Sequence, residues 1–274
     1  MKHLLQKSFF AAAVLIGFCS TPALAISPYV LPLNFDVRAK DTLTVDAGFT
    51  QKIFIPATPL GDTKFTITRP NGTQEAIATV HHLKTRSVLE YTLPAEDKEA
   101  RGTWRISSEP RLGRVFRSWE KDGKVERATH SDQAMPAGAK LLNHYQTLGR
   151  AESYVTVGAP TREALKAHGK GLEIVPITHP NDLYTGETFQ FAVHFDGKPL
   201  AGNTLDIYRS NTSKAESEHS VISLTTDAQG RATFTLKQSG LYQAYVRHDS
   251  KAPAGAAAPT YGNRYALTFR VLDR

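Results

Sequence analysis

Polar and apolar residues alternate with a period of two through much of this sequence, and turn-forming residues cut the alternation into short runs. Thr42-Leu43-Thr44-Val45, Lys64-Phe65-Thr66-Ile67-Thr68 and Thr233-Phe234-Thr235-Leu236 each put one face in a core and one in water, the pattern of a half-buried strand. Pro70-Asn71-Gly72 and Lys121-Asp122-Gly123-Lys124 stand between such runs, where Asn-Gly or Asp-Gly supplies the positive φ that a tight hairpin needs. Helical periodicity is scarce. One short helix is predicted over residues 161–168, started by Thr161 after Pro160 and stopped by Gly169. A chain built this way is all-β.

An internal echo organises the strands. Tyr91-Thr92-Leu93, a polar turn and Gly102-Thr103-Trp104-Arg105-Ile106 are matched downstream by Phe234-Thr235-Leu236, a polar turn and Gly240-Leu241-Tyr242-Gln243-Ala244. In sandwich domains such an order marks a corner where the chain crosses between sheets, the glycine allowing close approach and the aromatic filling the space beneath. The expectation is two tandem Ig-like, Greek-key β-sandwiches with Trp104 and Tyr242 in equivalent places. The first would span residues 26–157 and include an extra hairpin around the Asp122-Gly123 turn. A linker with the short helix would cover 158–171, and the second sandwich 172–274. Within that second unit the glycines and prolines of residues 171–202 read as turns between strands rather than as the rim of a catalytic site.

The first residues fix an expected compartment. Lys2 and Lys7 precede an apolar run from Phe9 to Phe18, and Ala23-Leu24-Ala25 has the small-x-small form of a secretory cleavage site, so residues 1–25 read as a signal peptide. That run is too short to span a bilayer, and no longer one follows, so no membrane span is expected in the mature chain. Cys19, the only cysteine, would leave with the leader, which removes disulfides, thiolate ligands and a nucleophilic thiol from consideration. A periplasmic address follows. Of the formal charge of +7, Lys2 and Lys7 carry two units, leaving +5 on the mature chain. For an exported protein this surplus points to solubility and to anionic surfaces of the envelope, and away from nucleic acid.

No serine elbow, His-Glu-x-x-His helix, phosphate-binding glycine loop or dinucleotide fingerprint occurs, so no enzymatic activity is expected. Histidine is the residue type in chemical surplus, and neutral imidazole is the commonest ligand for divalent transition ions. The candidate metal ligands are His179, His248, His194, His81 and His82. His179 sits in a His-Pro turn, and His248 closes a strand that could approach that turn. His194 shares a face with Gln190 and Ala192. His81 and His82 are neighbours on a strand, so their rings point to opposite faces unless the backbone turns there. A second feature is the basic run Arg111, Arg114, Arg117, Lys121, Lys124 and Arg127 with Phe116 and Trp119, which is expected to form a hairpin with one wet, charged face.

Lys170-Gly171-Leu172-Glu173-Ile174-Val175-Pro176, Tyr184-Thr185-Gly186-Glu187, residues 195–202 (FDGKPLAG), Thr226-Asp227-Ala228-Gln229-Gly230 and Ser239-Gly240-Leu241-Tyr242 follow one another in a familiar order. On these motifs the C-terminal half resembles a periplasmic family defined by a domain of unknown function and associated with nickel and cobalt uptake components, and the N-terminal half is similar in layout. The resemblance implies a non-enzymatic accessory of transition-metal uptake, binding Ni, Co, Zn or Fe and working beside an outer-membrane receptor or an inner-membrane metal transporter. Members of that family often begin with a histidine close to an aromatic pair, whereas Ile26-Ser27-Pro28-Tyr29-Val30-Leu31 offers no imidazole or carboxylate. The alternative reading is an envelope interaction module that engages a partner protein or a surface polyanion through its sandwich edges and the basic hairpin.

Overall fold

The computed structural model describes residues 27–130, 132–210 and 221–274; the predicted leader, with Cys19, and His219 lie outside the described residues. The fold is nearly all β, as the alternation requires, and its strands form three sheets. The longest runs in the order Val221–Thr225, Thr204–Arg209, Gly240–Lys251, Thr260–Val271, Lys140–Val157, Gly102–Ser108, Phe65–Thr68 and Gln74–Ala76. A five-stranded sheet holds Ser27–Pro32, Thr42–Lys52, Ser87–Thr92 and Thr79–His82, with Ile55–Pro59 paired to Thr42–Lys52. A four-stranded sheet combines Leu172–Pro176, Thr188–Phe195, Lys198–Pro199 and Arg231–Thr235.

The long sheet belongs to both halves of the chain. Its central pair is parallel, from Tyr145 opposite Thr260 to Ser153 opposite Thr268. Successive residues on a strand face opposite ways, and the two cores divide accordingly. Tyr154, Tyr265 and Leu267 join Phe189, Phe191 and Phe234 beneath the four-stranded sheet. Val155, Ala266 and Tyr245 join Trp104, Ile106, Val45 and Leu89 beneath the five-stranded one. The two cores therefore lie on opposite faces of one sheet. Ser27–Pro32 packs over the joint, where Ser27 Oγ donates to Gln243 Oε1 (3.0 Å) and Gln243 Nε2 donates to the Pro28 carbonyl (3.0 Å).

The internal echo has a structural counterpart. Gly102 and Gly240 each open a strand at positive φ, +116° and +132°. Two residues on, Trp104 and Tyr242 are buried, and each donates to a carbonyl four residues upstream: Trp104 Nε1 to Ala100 (2.8 Å) and Tyr242 Oη to Gln238 (2.7 Å). Both corners thus tie an aromatic ring to the chain entering the strand. At Gly102 a Cβ would lie 2.6 Å from Thr161 Oγ1 and 2.8 Å from Pro70 Cβ, so only glycine fits.

The helix predicted over residues 161–168 shrinks to one 3-10 turn, Glu163–Leu165. Thr161 does not cap it, because its groups are used elsewhere: its N–H donates to Thr103 Oγ1 (3.0 Å) and its Oγ1 accepts from the Thr103 N–H (2.9 Å). The segment is held as a strap across Gly102–Ser108, with Ala164 and Leu165 turned inward. No helix among the described residues is long and apolar enough to cross a membrane.

A sheet shared by two cores couples their unfolding. Thermal denaturation followed by circular dichroism and by calorimetry is expected to give one transition, and Leu267→Ala should lower its stability by about 2–5 kcal/mol. Two separable transitions, with only one moved by the substitution, would contradict this coupling.

Candidate functional site

The structure distributes the five candidate histidines over four separate places, with His81 and His82 together on one strand. His179 is buried, with Nε2 within hydrogen-bond distance of Thr103 Oγ1 (2.9 Å) and the Thr161 carbonyl (3.1 Å), while Nδ1 accepts from the Asn181 N–H (3.1 Å). This is a neutral ring with the proton on Nε2 and both nitrogens occupied. His248 packs against Phe195, ring centres 4.7 Å apart. Its strand partner is Asn263, which lies opposite Leu148, whereas Thr103, the partner of His179, lies opposite Thr156. Leu148 and Thr156 are eight residues apart on one strand, about 26 Å at ~3.3 Å per residue. His248 and His179 therefore do not meet. His194 is half-buried opposite Glu173, and His81 and His82 are exposed on an edge strand, His82 bonding Ser87 Oγ (2.8 Å). Among the described residues no group of three or more His, Cys, Asp or Glu side chains is placed to hold a metal ion.

What the structure does gather is a buried polar junction at the joint of the halves. Glu152, on the central strand, accepts from Ser107 Oγ (2.5 Å), His168 Nε2 (2.6 Å) and Tyr265 Oη, with Arg105 Nε 4.0 Å away. Arg105 also donates to the Lys166 carbonyl (2.8 Å), and the buried Glu173 accepts the backbone N–H groups of His168 (2.7 Å) and Gly169 (3.0 Å). Strand, strap and C-terminal strand are pinned to one carboxylate. Burial alone would raise the Glu152 pKa, but Arg105, the His168 bond and Arg150 outweigh it and hold the carboxyl well below its usual range. Burial, and then the charge of Glu152, push the Tyr265 hydroxyl well up. Glu152, Ser107 and Tyr265 are all buried and bonded to one another, so the cluster acts as a clamp. The sequence carried one sign of it: period two places Glu152 on the core-facing side of Tyr154, where an acid needs partners.

The accessible feature lies at the other end of the same strand. Arg111–Lys121 pairs with the first part of Lys140–Val157, and Lys124–Arg127 pairs outside it. Asp122 and Gly123, both at positive φ, make the two-residue turn predicted for them. Pairing to Thr260–Val271 begins only at Tyr145, so residues 140–144 and the hairpin continue as a three-stranded arm. Its wet face is not the purely charged one expected. Leu112, Arg114 and Phe116 are the exposed set, while Arg111, Val115 and Arg117 are half-buried, Arg111 bonding the Gly61 carbonyl (2.7 Å) and Arg117 that of Gln133 (3.2 Å). Phe116 stacks on Tyr145, ring centres 5.2 Å apart. Val125, Leu141 and Leu142 add further exposed apolar surface. Arg114, Lys121, Lys124, Arg127 and Lys140 make no ion pair among the described residues.

Two measurements check the buried groups. Glu152→Gln leaves Arg105 without its counter-charge and should cost about 3–5 kcal/mol in urea unfolding at neutral pH. The contribution of Glu152 is full above about pH 5 and is lost progressively as the pH falls further, because its folded-state pKa lies below that of the unfolded chain. For His179, burial outweighs the Thr161 bond and depresses the imidazole, so protonation favours the unfolded chain and stability drops as the pH falls below about 6.5. His179→Gln should flatten the stability profile between about pH 7 and 5; an unchanged slope would show that the ring is free to titrate in the folded protein.

Comparison with known proteins adds the following. No curated protein matches the chain. Among solved structures, the D0–D1 domains of intimin align over 88% of this chain and 96% of that one, at 12% identity and a TM-score of 0.22. A DUF4785-family protein of Legionella pneumophila aligns over 80% of this chain and 50% of its own length (10% identity, TM-score 0.26). The adhesin InvE of Yersinia pseudotuberculosis aligns over 89% and 58% (14% identity, TM-score 0.21), so this chain spans about half the length of the last two. At TM-scores of 0.21–0.26 these likenesses assign neither a shared fold nor an activity. The expectation of a domain-of-unknown-function family holds, but its association with nickel and cobalt uptake has no support in the match: DUF4198, a domain of unknown function, matches residues 23–250, and the chain belongs to that family.

Proposed function

We propose that this protein is a non-enzymatic binding module of the bacterial envelope, delivered to the periplasm by its leader, and that the three-stranded arm is its recognition element for a partner protein. The observation that carries this reading is the concentration of exposed large apolar side chains in the arm, Leu112, Phe116, Val125, Leu141 and Leu142, beside cations that make no ion pair among the described residues. Protein interfaces combine apolar and aromatic anchors with arginine in this way. A polyanion asks for an unbroken positive strip, and here Glu120, Asp122 and Glu126 interrupt it. The uptake role implied by the resemblance would need a ligand set, and His179, the most enclosed candidate, has both nitrogens committed to the protein. The polar junction around Glu152 supports the arm indirectly, because it anchors the far end of the strand from which the arm is built.

Photo-crosslinking in the native cell is the direct test. A benzophenone side chain at Phe116 is expected to give a discrete adduct in the periplasmic fraction, and one at Ile55, exposed on the five-stranded sheet, is not. Leu141→Ser should weaken capture by about tenfold or more, the scale of an interface hot spot. Equal labelling from both positions, or none from the arm, would remove this reading.

A further inference from the structure

The hairpin has a free outer edge, and its register says which backbone groups are offered there. In a two-residue hairpin the pair flanking the turn, Lys121 with Lys124, is hydrogen-bonded, and bonded pairs then alternate with unbonded ones. Glu120 with Val125 is therefore unbonded, Trp119 with Glu126 bonded and Ser118 with Arg127 unbonded; the Ala128 N–H donating to the Arg117 carbonyl (2.9 Å) confirms the phase. The N–H and C=O groups of Val125 and Arg127 consequently point away from the hairpin, and no strand pairs with Lys124–Arg127 on that side among the described residues. All four residues are exposed.

Resting on the reading of the arm as recognition element, we propose that it binds its partner by strand addition, an extended acidic segment of the partner pairing along Lys124–Arg127. Charge selects the occupant. Lys124 and Arg127 lie on the edge strand and Lys121 pairs with Lys124, none of them in an ion pair among the described residues, while the one acid on that strand, Glu126, is engaged by the indole N–H of Trp119 (3.0 Å). A second copy of this chain is disfavoured, because the antiparallel register that uses both outward residues, Val125 of one copy opposite Arg127 of the other, would set Glu126 against Glu126. An acidic strand instead meets Lys124 and Arg127 favourably. Its alternate side chains would fall beside Val125 on one face, and main-chain hydrogen bonds would supply the affinity.

The test uses the processed full chain and peptides of about eight residues, the length of an added strand, one alternating Glu and Val and one alternating Lys and Val. The acidic peptide is expected to bind and to slow hydrogen exchange at the Val125 and Arg127 amides, while the basic one does not. Val125→Pro removes an outward N–H that the hairpin itself does not use and should weaken binding by about tenfold, with Val125→Thr keeping it. If the proline disturbs the arm, seen as a change in Trp119 fluorescence, the exchange result on the unaltered chain decides. Equal binding of both peptides, binding of heparin with no peptide bound, or protection elsewhere than Val125 and Arg127 would overturn strand addition. The two proposals fail separately: an adduct from Phe116 that persists in Val125→Pro keeps the arm as the recognition element and removes only this mode of binding.

Discussion

The parallel pairing of Lys140–Val157 with Thr260–Val271 is the contact on which the rest of the structure depends. Parallel neighbours need a long crossover, and here the crossover is the whole second half of the chain. Closing it brings the last strand back beside the last strand of the first half, and one sheet then serves two cores on its opposite faces. Neither half finishes its core alone: Tyr154 and Leu165 reach into the second core, and Tyr245 and Ala266 into the first.

Such a joint brings polar groups into the interior, and the molecule resolves this with one heavily bonded carboxylate. Glu152 takes donors from three separate segments, so its burial is tolerated only when strand, strap and C-terminal strand are all in place. That makes the cluster a check on correct assembly, because a misregistered seam would strand a charge in a low-dielectric interior. Its role is structural, and it explains why the strap over residues 158–171 is fixed by tertiary bonds instead of folding as the helix its local sequence favours.

The seam also organises the exposed end of the molecule. Strand Lys140–Val157 is clamped at its C-terminal end by the junction and leaves its first residues to carry the hairpin. An arm so founded is rigid at its base, and its edge can present Val125 and Arg127 in a defined direction. Rigid presentation lowers the ordering cost of binding an extended segment. Membership of DUF4198 fits this picture without specifying it, since the family's description assigns no chemistry.

Much of this was legible locally. The strands at 42–45, 64–68 and 233–236, the Asp122-Gly123 turn and the paired corners at Gly102 and Gly240 follow from period-two alternation and from φ requirements that only a few residues meet. The all-β class and the likeness of the two halves needed nothing more. The tertiary structure alone decided that the halves share a sheet, that His179 and His248 lie toward opposite ends of its central strand, that Glu152 and His168 meet, and that Leu112 and Phe116 of the basic hairpin face solvent. Alternation tells which residues share a face but not what covers that face, and the pairing of strands more than a hundred residues apart is set by how whole cores close, which no local pattern encodes.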